Sequence, residues 1–176
     1  MEKEAALIEA ILYLETDPMD YGVLSRISGL GKAAVEAAVK VLEAKYAKED
    51  SGIEFSRIGG GVMLSVKKEF WDTLKEHYGK KNETRFSKAA LETLSIIAYS
   101  QPVTRSAVEA IRGVQADSMI RLLLEKNLIR EVGKKDIPGK PVQYGTTREF
   151  LKFFRLESIA DLPKLDESEA ERFELE

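Results

Sequence analysis

Few residues in this sequence are of a type that does chemistry, and none has the company that chemistry requires. The single histidine, His77, sits in Lys75-Glu76-His77-Tyr78, and there is no cysteine. Zinc is held by three or four His, Cys or carboxylate ligands at characteristic spacings, so one histidine without thiolates builds none of the usual sites. Disulfides and thiol catalysis are excluded with the cysteines. A general base needs an oriented partner within hydrogen-bond reach, and His77 reads instead as a solvated histidine at a helix end. Gly59-Gly60-Gly61 lacks the GxxxxGK[ST] frame of a phosphate loop and reads as a turn. Gly31-Lys32 fails differently: Ala33 stands where the magnesium-binding hydroxyl belongs, and Arg26 where the first glycine belongs. No GxSxG nucleophile turn occurs. The expectation is a chain without catalysis, metal or cofactor, which acts by binding.

The elements that would carry such a surface come twice. Ala5-Ala6-Leu7 returns as Ala89-Ala90-Leu91, Pro18 as Pro102 and Gly29 as Gly113, at a constant offset of 84 residues. Apolar class keeps step between them, pairing Leu12 with Ile96, Leu24 with Val108, Ile27 with Ile111 and Leu30 with Val114. A repeat this long exceeds a solenoid unit and suits a small domain. We expect two modules, 1–81 and 82–165, then an acidic disordered tail, 166–176, with six acids against one base.

In the first module, nine of the ten positions from Ala5 to Leu14 are apolar or Tyr. A helix apolar nearly all round must be covered on more than one side. Its cover is either the second module or a second copy; for the latter, Leu7, Ile8, Ile11 and Leu12 are the candidate contacts. A short helix from Asp20 to Ser28 closes at Gly29. A third, Lys32 to Ala47, repeats Val35, Val39, Leu42 and Tyr46 at helical spacing. Strands flank the glycine triplet as a hairpin, a helix covers 70–78, and 79–83 is a polar linker.

The second module opens on Ser87 as N-cap, with Phe86 placed to pack on Leu91. Leu91, Leu94, Ile97 and Ala98 form the expected inward stripe. Helices from Thr104 to Ile111 and from Asp117 to Asn127 follow, the latter with Met119, Leu122 and Leu123 inward. Strands 128–132 and 142–146 flank a basic loop, a closing helix covers 150–154, and Leu156, Ile159, Leu162 and Leu165 are spaced to dock on the module. Three helices and a hairpin, twice, is a mostly α chain of the α+β class: two tandem winged-helix domains.

The net charge of −3 is unevenly spread: −2 over residues 1–81, +5 over 82–155 and −6 over 156–176. An excess of +5 predicts weak, salt-sensitive and non-specific DNA contact at most. Lys32, Glu36, Lys40, Glu43, Lys45 and Lys48 mix both signs among alanines, which suits i,i+4 pairing better than base readout. On the later helix Gln115, Ser118 and Arg121 are of base-reading types, but Asp117 and Glu125 oppose phosphate. Lys134, Lys135 and Lys140 are the phosphate-contact candidates. No apolar run approaches the ~20 residues of a membrane span. Met1-Glu2-Lys3-Glu4 lacks the layout of a secretory signal, so the cytoplasm is the expected compartment.

Two long segments carry a resemblance. AALETLSIIAYSQPVTRSAVEAIRGV, from Ala89 to Val114, and LIREVGKKDIPGKPVQYGTT, from Leu128 to Thr147, closely resemble the segregation and condensation protein B family of bacteria. LESIADLPKL, from Leu156 to Leu165, is similar to that family's closing stretch. Gln115-Ala116 departs from the family's usual Asn-Ser before Asp117, which predicts a helix start weaker by about 1 kcal/mol. The resemblance implies a non-catalytic, nucleoid-associated subunit that forms homodimers and binds the kleisin bridging the heads of the SMC ATPase, in chromosome condensation and partition. With it we place kleisin contacts in the second module, at Tyr99, Gln101, Pro102 and Val103 or at Lys134, Lys135 and Lys140. The competing reading is a winged-helix transcriptional regulator.

Overall fold

Apolar spacing and glycine stops set the first three helices of each half almost in register. In the computed structural model, which describes residues 2–78 and 86–165, the first half holds α1 (Glu2–Leu14), α2 (Tyr21–Ser28) and α3 (Lys32–Tyr46). Two strands, β1 (Ile53–Ile58) and β2 (Gly61–Val66), and a further helix, α4 (Lys68–Tyr78), complete it. The second half holds α5 (Lys88–Ser100), β3 (Val103–Thr104), α6 (Arg105–Arg112) and α7 (Asp117–Glu125). Then come β4 (Ile129–Lys134), β5 (Val142–Thr146), α8 (Arg148–Phe154) and a 3₁₀ turn at Ile159–Asp161. The chain divides into two compact units, residues 1–83 and 84–176. The expected linker at 79–83 and tail at 166–176 lie outside the described residues.

The repeat is literal where the first turns are concerned. α2 and α6 coincide at the 84-residue offset, and both close on a left-handed glycine, Gly29 at φ 71° and Gly113 at φ 72°. Only a residue without Cβ adopts that conformation cheaply, so these two glycines fix where the third helix starts. Beyond them the copies diverge: α3 has 15 residues and α7 nine.

Each unit buries one core. Ile8, Ile11, Leu12, Leu24, Val35, Val39 and Leu42 form the first, with Val62 from the hairpin. Leu94, Ile96, Ile97, Val108, Ile120, Leu123, Ile129 and Phe150 form the second. β1 and β2 pair antiparallel with Ile58 opposite Gly61, leaving Gly59 and Gly60, both at positive φ, as the two-residue turn. Met19 bridges Val62 as a one-residue third strand. In the second unit that position widens to β3, giving a sheet in the order β3-β5-β4, with a bulge between Glu131 and Gly133. Three helices and a three-stranded sheet closed by a β-hairpin wing make both units winged helices.

Several expectations change here. Leu91 is exposed rather than inward, while Leu94, Ile97 and Ala98 are buried as expected, together with Ala90, Thr93 and Ile96. Phe86 meets Phe153 edge-on, with ring centroids 5.5 Å apart. On α7 the inward pair is Ile120 and Leu123. Ser87 caps α5 as expected, accepting from the Ala90 N–H at 3.2 Å. Ala116 gives α7 no side-chain cap, but its N–H donates to Glu109 Oε1 at 2.9 Å, so α6 supplies the missing anchor.

Candidate partner-binding surfaces

Ile8, Ile11 and Leu12, expected at a subunit interface, belong to the first unit's own core. They fill it because they share one face of α1 with the α2 and α3 residues they touch. What remains outside is a second apolar stripe. Leu7 is 42% exposed, Tyr13 77% and Leu14 79%, with Ala6 and Ala10 also exposed on the same helix. Ala6, Ala10, Tyr13 and Leu14 line a groove of about 380 Å³ with Tyr46, Ile53 and Leu64. One charged group stands in it: Glu9, which accepts from Lys45 Nζ at 2.7 and 2.8 Å and from the Tyr46 hydroxyl. Lys45 and Tyr46 hold the Glu9 carboxyl below its ordinary range. Burial, then the hydrogen bond to Glu9, pushes the Tyr46 hydroxyl up to about 12.

The corner after α5 is largely spoken for by the fold. The Tyr99 hydroxyl donates to the Pro163 carbonyl at 2.7 Å. Gln101 Nε2 donates to the Ala98 carbonyl at 3.0 Å, and its Oε1 accepts from the Thr146 N–H at 2.7 Å and hydroxyl at 3.1 Å. Val103 is 3% exposed and packs inward. Its place in β3 opposite Tyr144 turns most of it into the core, and only its edge borders the groove lined by Lys135. Pro102, joined to Gln101 by a cis peptide, stays exposed. Of the four corner candidates, Pro102 alone presents an uncommitted side chain.

Lys134, Lys135 and Lys140 are all exposed on the wing. Lys135 lines a groove of about 490 Å³ that runs past Ser100, Pro102, Thr104 and Ser106. The candidate reading helix, α7, has its first carboxylate committed to two arginines, one from α6 and one of its own. Arg105 Nη1 donates to Asp117 Oδ1 at 2.9 Å, and Arg121 Nη2 to Asp117 Oδ2 at 2.6 Å. In the first unit, Lys32 and Glu36 make an i,i+4 contact at 4.0 Å. Glu43 and Lys45 instead reach Arg57 and Glu9 on other elements.

Among the described residues no three His, Asp or Glu side chains gather as a metal ion would need. Ser65 and Lys68 have S-x-x-K spacing, but Ser65 Oγ bonds Glu54 Oε1 at 3.2 Å and lies 3.2 Å from Ser56 Oγ. No helix among the described residues is long and apolar enough to cross a membrane.

Comparison with known proteins decides the family. The family described as "Segregation and condensation complex subunit ScpB" matches residues 6–165. This chain belongs to the ScpB family. Segregation and condensation protein B of Acetivibrio thermocellus is 43% identical over 164 residues, 93% of this chain and 83% of that one. The protein of the same name from Clostridium botulinum strain Kyoto is 41% identical over 165 residues, 94% of this chain and 86% of that one. ScpB from Mycobacterium tuberculosis, a solved structure, is similar at 30% identity, covering 88% of this chain and 96% of that one at a TM-score of 0.41. The ScpB family is one of chromosome segregation and condensation, and its name describes a complex subunit.

Proposed function

We propose that this chain is a non-catalytic subunit of the bacterial SMC complex, acting as a homodimer that binds the kleisin. Dimerisation runs through the first unit, and the second unit carries kleisin contacts. The protein works at the nucleoid in the cytoplasm, and ATP turnover belongs to the SMC partner. The observation that carries this reading is the outward stripe of α1. Leu7, Tyr13 and Leu14 leave a contiguous apolar face on water beside a groove lined by Ile53 and Leu64. Apolar faces of this kind mark protein interfaces. A second copy of the same stripe supplies a matching surface, as two-fold interfaces require.

Family membership supports the complex; the state of α7 argues against the alternative. An operator reader needs base-contacting side chains free to enter the groove, whereas Arg121 and Arg105 are both turned onto Asp117. Affinity purification of the full chain from its own bacterium tests the assignment. Recovery of SMC and kleisin chains is expected; recovery of a single promoter fragment in their place would overturn it. A regulator would also bind its operator at least about 10³-fold more tightly than random DNA at physiological salt. No such ratio is expected here.

A further inference from the structure

We infer that the groove between the wing and the start of α6 is the seat of an extended, acidic peptide segment of the partner. The inference rests on the kleisin reading and narrows it to one cleft and one ligand chemistry. The groove, about 490 Å³, is bordered by Lys135 and Ile137 of the wing, Pro102 of the cis corner, Ser100, Ser106 and Gln143. That is room for a few side chains of a peptide.

Three features set the chemistry. Lys135 brings an exposed cation to the rim, and the wing's other charges, Lys134, Lys140 and Asp136, leave it net positive. The groove also passes the first turn of α6, where Thr104 caps the Ala107 N–H at 3.3 Å and the helix dipole favours negative charge. Ser100 borders the groove, and its Oγ, closed to water just behind that wall, makes no hydrogen bond. Buried hydroxyls are nearly always satisfied, so this one, next to the cleft wall, is a donor that a small side-chain rotation would turn to a ligand. Ile137, 44% exposed, and Pro102 form apolar borders that suit the carbon skeleton of a peptide. Those borders favour a peptide over a nucleic acid, as does the commitment of Arg105 and Arg121 to Asp117. DNA phosphates need a broad cationic face, and this is a narrow cleft with one lysine on its rim.

Fluorescent overlapping peptides spanning the kleisin of the same bacterium, and a short DNA duplex, are titrated onto the full-length chain. A peptide carrying Asp or Glu should bind, and Lys135→Glu and Ser106→Tyr should each weaken it about tenfold or more, as loss of a charge pair or of the cleft requires. Lys134→Glu, the same charge change one residue off the groove lining, should weaken it far less. Equal binding by all variants would overturn the groove while leaving the kleisin reading standing. Wild-type chain that captures no kleisin, whole or as peptides, would overturn both. Loss of duplex binding in Lys135→Glu with peptide binding intact would reassign the wing to phosphate and overturn the peptide.

Discussion

Tyr99 and Pro163 are joined by a 2.7 Å hydrogen bond, hydroxyl to carbonyl, that ties the end of α5 to the chain's closing stretch. Leu156 and Leu162 lean on the second unit's core beside it. Tyr99 thus straps its own unit, which leaves little of it for a partner. Tyr99→Phe should cost about 1 kcal/mol, the worth of one hydrogen bond, and leave kleisin capture unchanged. Ending the chain after Arg155 should cost more, about 2 kcal/mol from two part-buried leucines, while ending it after Leu165 should leave the melting temperature in place. Calorimetry on the three proteins reads the stabilities, and a kleisin pull-down with Tyr99→Phe reads the capture. A larger loss from the second truncation than from the first would reverse the account.

Gln101 and Gly145 form a second relationship with a measurable signature. A Cβ on Gly145 would stand 2.9 Å from Gln101 Oε1 and 3.0 Å from Val132 Cγ1. Gly145→Ala should therefore destabilise by about 1–3 kcal/mol through overpacking. Gln101→Ala should cost about 1–3 kcal/mol by stranding the Thr146 N–H. Because the shorter side chain also removes one of the clashes, the double variant should lose less than the sum, by about 0.5 kcal/mol or more. Denaturant melts of the four proteins close this cycle; strict additivity would show the two residues to be independent.

The two faces of α1 separate under substitution. Leu14→Glu, on the exposed stripe, should yield a folded monomer by light scattering. Ile8→Ala, in the core, should instead cost about 2–5 kcal/mol and leave the folded fraction dimeric. A Leu14→Glu protein that remains a dimer would move the interface off this helix.

Acid should loosen the first unit through Glu9. Its carboxyl, held below the ordinary 4.5 by Lys45 and Tyr46, is a group with a depressed folded pKa. Its contribution is complete above 4.5 and is lost as pH falls through the folded value. Glu9→Gln should flatten that acid limb of the melting curve. Tyr46 behaves oppositely: raised to about 12, it favours the folded state below 10.0 and loses that contribution as pH climbs through 12. Ultraviolet titration should show one late tyrosine that Tyr46→Phe removes. An unchanged acid limb in Glu9→Gln would show that another carboxylate carries it.

Helix existence and helix ends were legible in the residues, because Ser87, Gly29 and Gly113 act locally. The phase of each apolar stripe was harder to read. α1 carries two stripes, and composition alone does not say which meets α3; the structure buries Ile8, Ile11 and Leu12 and leaves Tyr13 and Leu14 on water. The same ambiguity misplaced Leu91 and passed over Ile120. β3 escaped notice because two residues have no period, and its pairing with Tyr144 and Gln143 lies far along the chain. At the cis corner, Tyr99 and Gln101 have the polar ends that binding sites use, yet their partners Pro163 and Thr146 are distant in sequence. Side-chain type announced a hydrogen bond; only the fold says with whom.

Asp117 has one more effect, and it concerns ionic strength. Its pairs with Arg105 and Arg121, at 2.9 and 2.6 Å, are far shorter than the Debye length of about 8 Å at physiological strength, so moderate salt weakens them little although 44% of the Asp117 side chain is open to water. The same ions screen DNA phosphates and remove the gain from counterion release. A long-range attraction to phosphate therefore fades with salt sooner than the hold of Asp117 on the two arginines. One carboxylate thus holds an arginine from α6 and one from α7, and raising the salt shifts the balance further towards those internal pairs.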